Sequence, residues 1–418
     1  MRKPAPKHQT QNAIQRFTAA LGNPFKTLLG DWGIYRKSIG SVSLAEWVYA
    51  LDDFDATDPR DKIFGLLGLA KDLDRQYLGH LPGKDLPTSH VYTHCAMWFI
   101  LSQRSLTCLH LDVDSRAACP VGEEGVVMTS WVADLSSRPP ISDPTWSRPL
   151  YITLGGMGFR PGGEMLSQRL PIHIYEKEAD IFPFLPAPAL RVRGLVVDKI
   201  TYVNGNPYVT RYESTSLEAR TNYSIKLMQK TAEKIKEWEA EAYKPREENP
   251  YGGTKEATRE AFERTMAMNR DTPTTTGVMD GPMAYSDEWR EQFEVFMGRR
   301  EFRGGNVSAE ELLDYLFLLR KAVVARPAGR NFVITSKGYF GLVPLKARVG
   351  DEICVLEGSS VVLVLRRVAE EDIPTEWRRP GVKKGFFTLV GESYVHGVSD
   401  GEWVAGQSED DVIDVILV

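Results

Sequence analysis

The stretch Arg330–Val368 reads RNFVITSKGYFGLVPLKARVGDEICVLEGSSVVLVLRRV, and its pattern decides the fold. Short runs rich in β-branched and aromatic residues alternate there with Gly, Pro and Asp, which mark turns between strands. After a polar break the same pattern resumes in GFFTLVGESYVHGVSDGE, Gly385–Glu402. The two segments predict an antiparallel sheet or small barrel over residues 330–402.

An upstream β segment, LRVRGLVVDKITYV at 190–203, belongs to the same sheet. It has no adequate local partner, and the later sheet needs a neighbour to cover an open edge. We therefore predict that the two pair. The fold class is then α+β: a helical body with a split antiparallel β-sheet or small barrel near the carboxy terminus and a helical insertion. The predicted division is an N-terminal extension (1–40), a helical and irregular body (41–189), and a β-domain (190–418) whose parts 190–212 and 329–404 flank the insertion 213–328.

Helix starts and ends are marked at several places. DPRD at 58–61 predicts a helix start with Asp58 as N-cap, and Gly68 is expected to close that helix in a left-handed conformation. Ser308 and Glu311 form a capping-box pattern ahead of an apolar period. Apolar periodicity predicts helices over 88–102, 216–243, 285–297 and 309–326.

Two stretches lack such regular signals. Residues 111–189 are rich in Pro and Gly and predict packed irregular structure, with short strands at 125–128 and 150–154. Residues 244–282, rich in Pro, Gly and Thr, predict a mobile linker inside the insertion. The run Gly155–Gly158 lacks the third Gly and the following helix of a dinucleotide fingerprint, so it predicts a turn.

Composition and charge exclude several classes of protein. A length of 418 residues with 42% hydrophobic residues predicts a globular protein with a substantial core. The net charge of −5 provides no basic field, so we expect neither nucleic acid nor an anionic membrane as partner. The apolar stretch Leu312–Ala325 is interrupted by charges and is shorter than the ~20 residues that span a bilayer. The four cysteines are scattered, which argues against a zinc knuckle and against a disulfide framework. We therefore expect a reducing, cytoplasmic location.

Two histidines have metal-ligand spacing. His90 and His94 lie four residues apart on a predicted helix, where their side chains share one face. Val91 occupies the position at which a zinc protease needs its general-base glutamate, and no third ligand follows in the sequence. We interpret the pair as structural and expect neither a metal nor another cofactor.

The segment Gly391–Gly397, GESYVHG, holds the candidate site. Ser393 and His396 lie three residues apart, so on a regular strand they point to opposite faces and cannot form a nucleophile–base pair. Glu392, Tyr394 and His396 are two residues apart in turn and therefore share one face of the strand. They predict a docking surface for a protein partner, with packing of Tyr394 and a backbone hydrogen bond from His396 as the structural alternative. No catalytic residue is predicted.

Several strings, taken in order, resemble one family. They are DPRDKIFGLLGL at 58–69, SWVAD at 130–134, GYFGL at 338–342, Gly350-Asp351, and VGESYVHG at 390–397. Together they resemble the carboxy-terminal part of fungal heterokaryon-incompatibility (HET-domain) proteins. The chain departs from that pattern at Ala133, where Pro is usual, and at Leu135, where Trp is usual.

The resemblance carries the functional expectation. Such proteins open on a HET domain, similar to TIR domains and regarded as the trigger of cell death, with a Tyr-x-Ala-Leu-Ser-Tyr-x-Trp-Gly-like signature. These 418 residues do not contain that string, so we expect a truncated member of the family. The resemblance implies a non-enzymatic, cytoplasmic regulatory or recognition protein that contacts another protein. The alternative is a hydrolase-like enzyme whose site is assembled from scattered residues.

Overall fold

A computed structural model describes thirteen parts of the chain. They are residue 40 and residues 43–50, 56–82, 85–110, 129–135, 159–167, 169–170, 189–205, 217–270, 282–302, 308–324, 326–373 and 384–418. The predicted strands at 125–128 and 150–154, and the run Gly155–Gly158, lie outside these residues. Statements about what the structure contains refer to the described parts.

Helices occupy the amino-terminal part and the insertion. The helix Thr88–Gln103 covers the predicted range 88–102 almost residue for residue, and the helices Leu217–Ala242 and Asp287–Phe296 likewise match the periodicity. In the part of the chain that the structure describes, no helix is both long and apolar enough to cross a membrane. The helices are α1 (Leu44–Ala50), α2 (Asp61–Leu67), α3 (Asp72–Leu78), α4 (Thr88–Gln103), α5 (Leu217–Ala242), α6 (Lys255–Met266), α7 (Asp287–Phe296), α8 (Ala309–Tyr315) and α9 (Phe317–Val323).

Seven strands form one sheet that closes on itself. The strands are β1 (Leu190–Asn204), β2 (Arg330–Thr335), β3 (Phe340–Pro344), β4 (Glu352–Leu356), β5 (Val362–Arg367), β6 (Lys384–Val395) and β7 (Ile413–Leu417). Hydrogen-bonded neighbours run β1–β2–β3–β6–β5–β4 and return to β1, which gives a six-stranded ring. The long strand β1 pairs with β4 and then, further along, with β2. The predicted pairing of 190–203 with the later strands is therefore confirmed, as is the α+β class.

The six ring strands pair antiparallel as predicted, and only β7, which lies beyond the predicted range 330–402, makes the sheet mixed. Strand β7 pairs antiparallel with the start of β1 but parallel with the start of β6. The chain leaves β6 at Val395, and residues 396–412 carry it back to the beginning of that strand. A connection that returns to the same end of a strand makes a parallel pair, whereas a hairpin makes an antiparallel one. The period-two alternation of side chains gives no sign that the chain returns to the beginning of β6.

Side chains of the ring alternate between two hydrophobic clusters. Val333 of β2 belongs to one cluster, and its neighbours Phe332 and Ile334 belong to the other. The first cluster is rich in valine, draws on all six ring strands, and fills the barrel. The second contains the outward-facing residues together with apolar side chains of the helices. Because both faces are covered, the strands read as nearly continuous apolar runs.

The turn before α2 differs from the prediction. The helix begins at Asp61, with Arg60 at the N-cap and no side-chain cap. Asp58 instead accepts the backbone N–H of Arg60 at 2.9 Å and pairs with its guanidinium at 2.7 Å, which lowers the pKa of Asp58. The carboxylate thus shapes the turn that precedes the helix. Gly68 ends α2 as predicted but has φ −65°, not the left-handed value.

The predicted linker is ordered over 244–270, so that prediction was wrong there. Thr254 caps α6 by accepting the Ala257 N–H at 3.1 Å, and Phe262 and Met266 are fully buried. Four apolar residues, two of them alanine, among many charged residues gave too weak a period to predict this helix. Residues 271–281 of the linker lie outside the described parts. The capping box of Ser308 is confirmed, but the helix behind it breaks into α8 and α9.

Candidate polar site at the end of strand β6

The three predicted docking residues lie at the end of β6. Glu392 is 0% and Tyr394 1% exposed, and only His396 reaches the surface in part. The docking role stays a prediction, but its geometry has to be corrected, since two of the three side chains cannot be presented to a partner. The sequence pattern showed which residues share a face, and Phe159 and Tyr251, from other parts of the chain, pack against that face.

Glu392 forms a buried ion pair. Its carboxylate accepts from the guanidinium of Arg330 at 2.8 Å, and both side chains are nearly inaccessible. Arg330 opens β2, so the pair connects β2 with β6 across the intervening strand β3. A paired and hydrogen-bonded charge is the form in which proteins tolerate burial. The first docking residue is therefore part of the barrel wall.

Tyr394 and His396 form a second buried link. The Tyr394 hydroxyl lies 2.9 Å from Nδ1 of His396, and its ring packs against Phe159. Burial raises the pKa of Tyr394 well above its usual value. Burial, with a smaller contribution from Arg264, lowers the pKa of His396 to about 4. The imidazole is thus neutral at physiological pH, and the pair is a neutral hydrogen bond.

The loop after β6 is held by the end of helix α6. Asp400 accepts from the buried guanidinium of Arg270, and also from the amide of Asn269 at 3.2 Å. Arg270 stacks over the ring of Phe159 at 4.2 Å. These contacts join the insertion to the barrel beside His396.

The backbone that delivers these groups is strained. Met268 and Asn269 have φ values of 48° and 51°, in the left-handed region that residues other than Gly seldom adopt. Arg264 holds the turn by donating to Oδ1 of Asn269 at 2.8 Å and to the Met283 carbonyl at 3.0 Å. Such strain persists where surrounding contacts over-determine it, and it concentrates at functional positions. This turn lies within the stretch 244–282 that the composition predicts to be a linker, so no sequence pattern pointed to it.

Hydrogen bonds assign the serine and histidine side chains to structural roles. Ser393 donates to the Val362 carbonyl at 3.1 Å, on the other side of the strand from His396, as strand alternation predicts. Elsewhere, Nε2 of His110 lies 3.3 Å from Oγ of Ser359. Because Ser359 donates its proton to the Val361 carbonyl at 2.7 Å, the histidine must donate in this contact and is not poised as a general base.

The predicted histidine pair lies on α4. The rings of His90 and His94 are tilted against each other with centroids 4.4 Å apart. Among the residues that the structure describes, no three His, Cys, Asp or Glu side chains are grouped so as to hold a metal ion. Burial raises the pKa of the Cys95 and Cys354 thiols, which makes these two cysteines poor nucleophiles.

The glycines of the family-like string GYFGL permit close contacts. A Cβ atom on Gly341 would lie 2.9 Å from the carbonyl oxygen of Tyr394, so β3 and β6 need a glycine to approach this closely. Gly338 has φ +88°, and a Cβ there would lie 2.7 Å from the Glu248 carbonyl oxygen. Both glycines therefore allow close packing at the end of the barrel where VGESYVHG lies.

Two further family-like strings are also structural. Gly350 turns the chain with φ +93°, and the following Asp351 is buried beneath two hydrogen bonds from Arg366, at 2.8 and 3.0 Å. Trp131, from SWVAD, is fully buried in the outer cluster. The strings that suggested the resemblance thus lie at turns, ion pairs and core positions that specify this barrel.

The barrel matches a known family. Residues 310–415 match the family model of the Het-6 beta-barrel domain. Over 88% of its length, the chain is also 26% identical to "Heterokaryon incompatibility protein 6, OR allele" of Neurospora crassa. The chain is thus similar to the heterokaryon-incompatibility proteins. No solved structure matches it.

The barrel of this chain takes one strand from outside the residues that match the family model. Strand β1, at 190–204, closes the ring, although it lies far upstream of residue 310. The insertion between β1 and β2 supplies the buried Arg270 that holds the loop after β6. The Neurospora relative is matched over 52% of its length, so this chain spans about half of that protein.

Mild acid is expected to destabilise the fold through His396. Its pKa is about 4 in the folded chain, against an ordinary value of 6.5. Between these values the unfolded state binds more protons, so the free energy of unfolding falls as the pH is lowered from 6.5 towards 4. Denaturant unfolding at pH 7 and 4.5 should show a loss on the order of 2 kcal/mol from this group. His396→Gln should lack that part of the loss, and equal pH dependence in both proteins would contradict the assignment.

Proposed function

We propose that this chain is a non-enzymatic recognition or regulatory protein of the heterokaryon-incompatibility type. It acts in the fungal cytoplasm by contact with another protein and contributes to self/non-self recognition. The observation that carries the proposal is the 26% identity to the Neurospora incompatibility protein along 88% of the chain. The proposal assigns no killing step to these residues, because the resemblance places that step in a HET domain, whose signature string these 418 residues do not contain.

The chemistry at the end of β6 supports binding over catalysis. Glu392 is neutralised by Arg330, Ser393 is bonded to a backbone carbonyl, and Asp400 is paired with Arg270. Groups engaged in this way hold a surface rigid. The Tyr394 hydroxyl does lie beside a base, His396, but burial raises the pKa of Tyr394 well above its usual value, which makes it a poor nucleophile. The partly exposed His396, on this rigid support, is the residue that we assign to the contact.

Expression in a fungal recipient tests the proposal. We expect the chain alone to leave growth unchanged, because the resemblance assigns killing to a HET domain. Expressed beside a HET-domain protein of the fungus that encodes it, the chain should alter the incompatibility reaction, scored as growth of the heterokaryon. An unchanged reaction with every such protein of that fungus would contradict a role in recognition.

Two serine variants separate binding from catalysis. Ser359→Ala removes the hydroxyl that lies 3.3 Å from His110, and Ser393→Ala removes the hydroxyl that strand alternation separates from His396; both variants should retain the effect on the incompatibility reaction. Circular dichroism establishes that each variant is folded. If the chain alone kills cells and either folded variant does not, the hydrolase alternative replaces the proposal.

A further inference from the structure

A loop of the insertion crosses the end of the barrel beside His396. This strap, residues 246–253, joins α5 to α6. Arg246 anchors its beginning by donating to the Glu241 and Ala242 carbonyls at 2.5 and 2.7 Å, at the end of α5. Further along, the ring of Tyr251 packs against Phe340 and His396, with centroids 5.0 and 5.5 Å apart. The strap therefore covers the partly exposed member of the predicted docking surface.

The Tyr251 hydroxyl replaces one hydrogen bond of the β3–β6 ladder. The register Gly341↔Val395 continues to the pair Phe340 and His396. In an antiparallel ladder such a pair exchanges two N–H···O bonds. The His396 N–H does donate to the Phe340 carbonyl at 2.9 Å. The Phe340 N–H donates to the Tyr251 hydroxyl at 2.7 Å instead, and that hydroxyl donates to the His396 carbonyl at 3.3 Å.

Withdrawal of Tyr251 leaves no buried backbone group without a partner. The Phe340 N–H and the His396 carbonyl already face each other, because the reciprocal bond of the pair is formed. Once the phenol leaves, these two groups can bond directly, so the ladder is completed rather than broken. The strap thus has two arrangements that both satisfy the backbone, which is what a bistable element requires.

The strap has a flexible side next to Tyr251. Gly252 and Gly253 have φ values of +83° and +77°, and a Cβ atom on either would meet nothing within 4 Å. Two successive glycines in open space give the backbone freedom to swing while α6 stays in place. On the opposite face the strap rests on Gly338, where a side chain would collide with the Glu248 carbonyl. The glycine at position 338 therefore leaves room for the strap to lie against the barrel in the closed state.

We propose that the strap is a latch with two states. In the closed state the Tyr251 hydroxyl is inserted between β3 and β6, as the structure shows. In the open state the two strands pair directly, and the strap exposes the imidazole of His396. The consequence for partner binding rests on the proposed function, whereas the latch itself does not. Opening of the strap controls access to the surface that contacts the partner protein.

Hydrogen exchange of the full chain, without any partner, tests the latch. Peptides from the strap are expected to exchange by local opening, at least about 10-fold faster than peptides from β4 and β5. Their exchange rate should not change when a low concentration of denaturant is added. Tyr251→Phe keeps the ring but removes the bridging hydroxyl. It should speed exchange of the strap by about 10-fold, which corresponds to loss of one hydrogen bond, and leave β4 and β5 unchanged.

Tyr243→Phe is the matched control. Its hydroxyl donates to Glu239 at 3.1 Å in the same insertion, outside the strap, so strap exchange should not change. If Tyr251→Phe fails to fold, Gly253→Ala provides a second route, because its φ of +77° disfavours alanine in the closed state and should speed strap exchange. Equal acceleration of all peptides, or exchange of the strap only with global unfolding, would overturn the latch. Neither result bears on the incompatibility assay, so failure of the latch and failure of the proposed function are distinguishable.

Discussion

Replacing Glu392 with alanine is expected to lower the free energy of unfolding by about 3–5 kcal/mol. The substitution leaves the guanidinium of Arg330 buried without its carboxylate, which now lies 2.8 Å away. Breaking one side of a buried pair costs far more than the pair itself contributes, because the remaining charge has lost its water and its partner. Urea unfolding followed by circular dichroism measures the loss.

Two comparisons sharpen this prediction. Asp414→Ala removes one partner of the exposed pair with Arg191, whose side chain is 58% accessible, and should cost less than about 1 kcal/mol. Replacing both Arg330 and Glu392 by apolar residues should recover most of the stability lost in Glu392→Ala. If Glu392→Ala is as stable as the exposed-pair variant, the pair is not buried in solution. A loss of partner binding without a loss of stability would restore the original docking assignment of Glu392.

Replacing Trp238 with alanine is expected to cost about 3–5 kcal/mol. Trp238 lies on α5, is 0% exposed, and stacks on Phe332 of β2 with centroids 5.6 Å apart. Its indole nitrogen makes no hydrogen bond within the described part of the chain, so the substitution removes packing alone. Because Trp238 joins the insertion to the outer face of the barrel, both should be destabilised together.

The control for Trp238 is another tryptophan of the insertion. Trp289 is only partly buried and stacks on Phe293 at 5.2 Å, so Trp289→Ala should cost clearly less. Thermal unfolding monitored by far-UV circular dichroism for helix and by near-UV signals for tertiary packing tests the coupling. We expect one coincident transition in the wild type. If Trp238→Ala unfolds the helices separately and leaves the barrel at its original midpoint, the insertion is an independent unit.

Local patterns in the sequence predicted most elements. Short apolar runs separated by turn residues predicted the sheet in which β2 to β6 lie. The run at 190–203 has no partner nearby in the sequence, and because an open sheet edge needs cover, it was predicted to pair with those strands. The Ser308 capping box predicted the start of α8. These signals succeed because each depends on periodicity or hydrogen bonding within a few residues. Asp58 shows the limit, since the same carboxylate can cap a helix or form a turn with Arg60.

The candidate site could be predicted only in part, because its residues come from distant parts of the sequence. The string at 390–397 supplied three residues of the candidate site, whose role stays a prediction, whereas Asn269 and Arg270 come from a stretch whose composition resembles a linker. The bond between Arg270 and Asp400 joins residues 130 positions apart in sequence. No local pattern encodes a contact over that separation. The same holds for Tyr251, which reaches Phe340 from the insertion.

By itself, the sequence determined that this chain is an α+β protein with a split β-domain, and it indicated kinship with heterokaryon-incompatibility proteins. Only the tertiary structure decided which face of β6 is covered, and hence that Glu392 and Tyr394 are buried while His396 reaches the surface. It also decided the parallel position of β7. The physical reason is that period-two alternation assigns side chains to faces, whereas the burial of a face depends on which distant element packs against it.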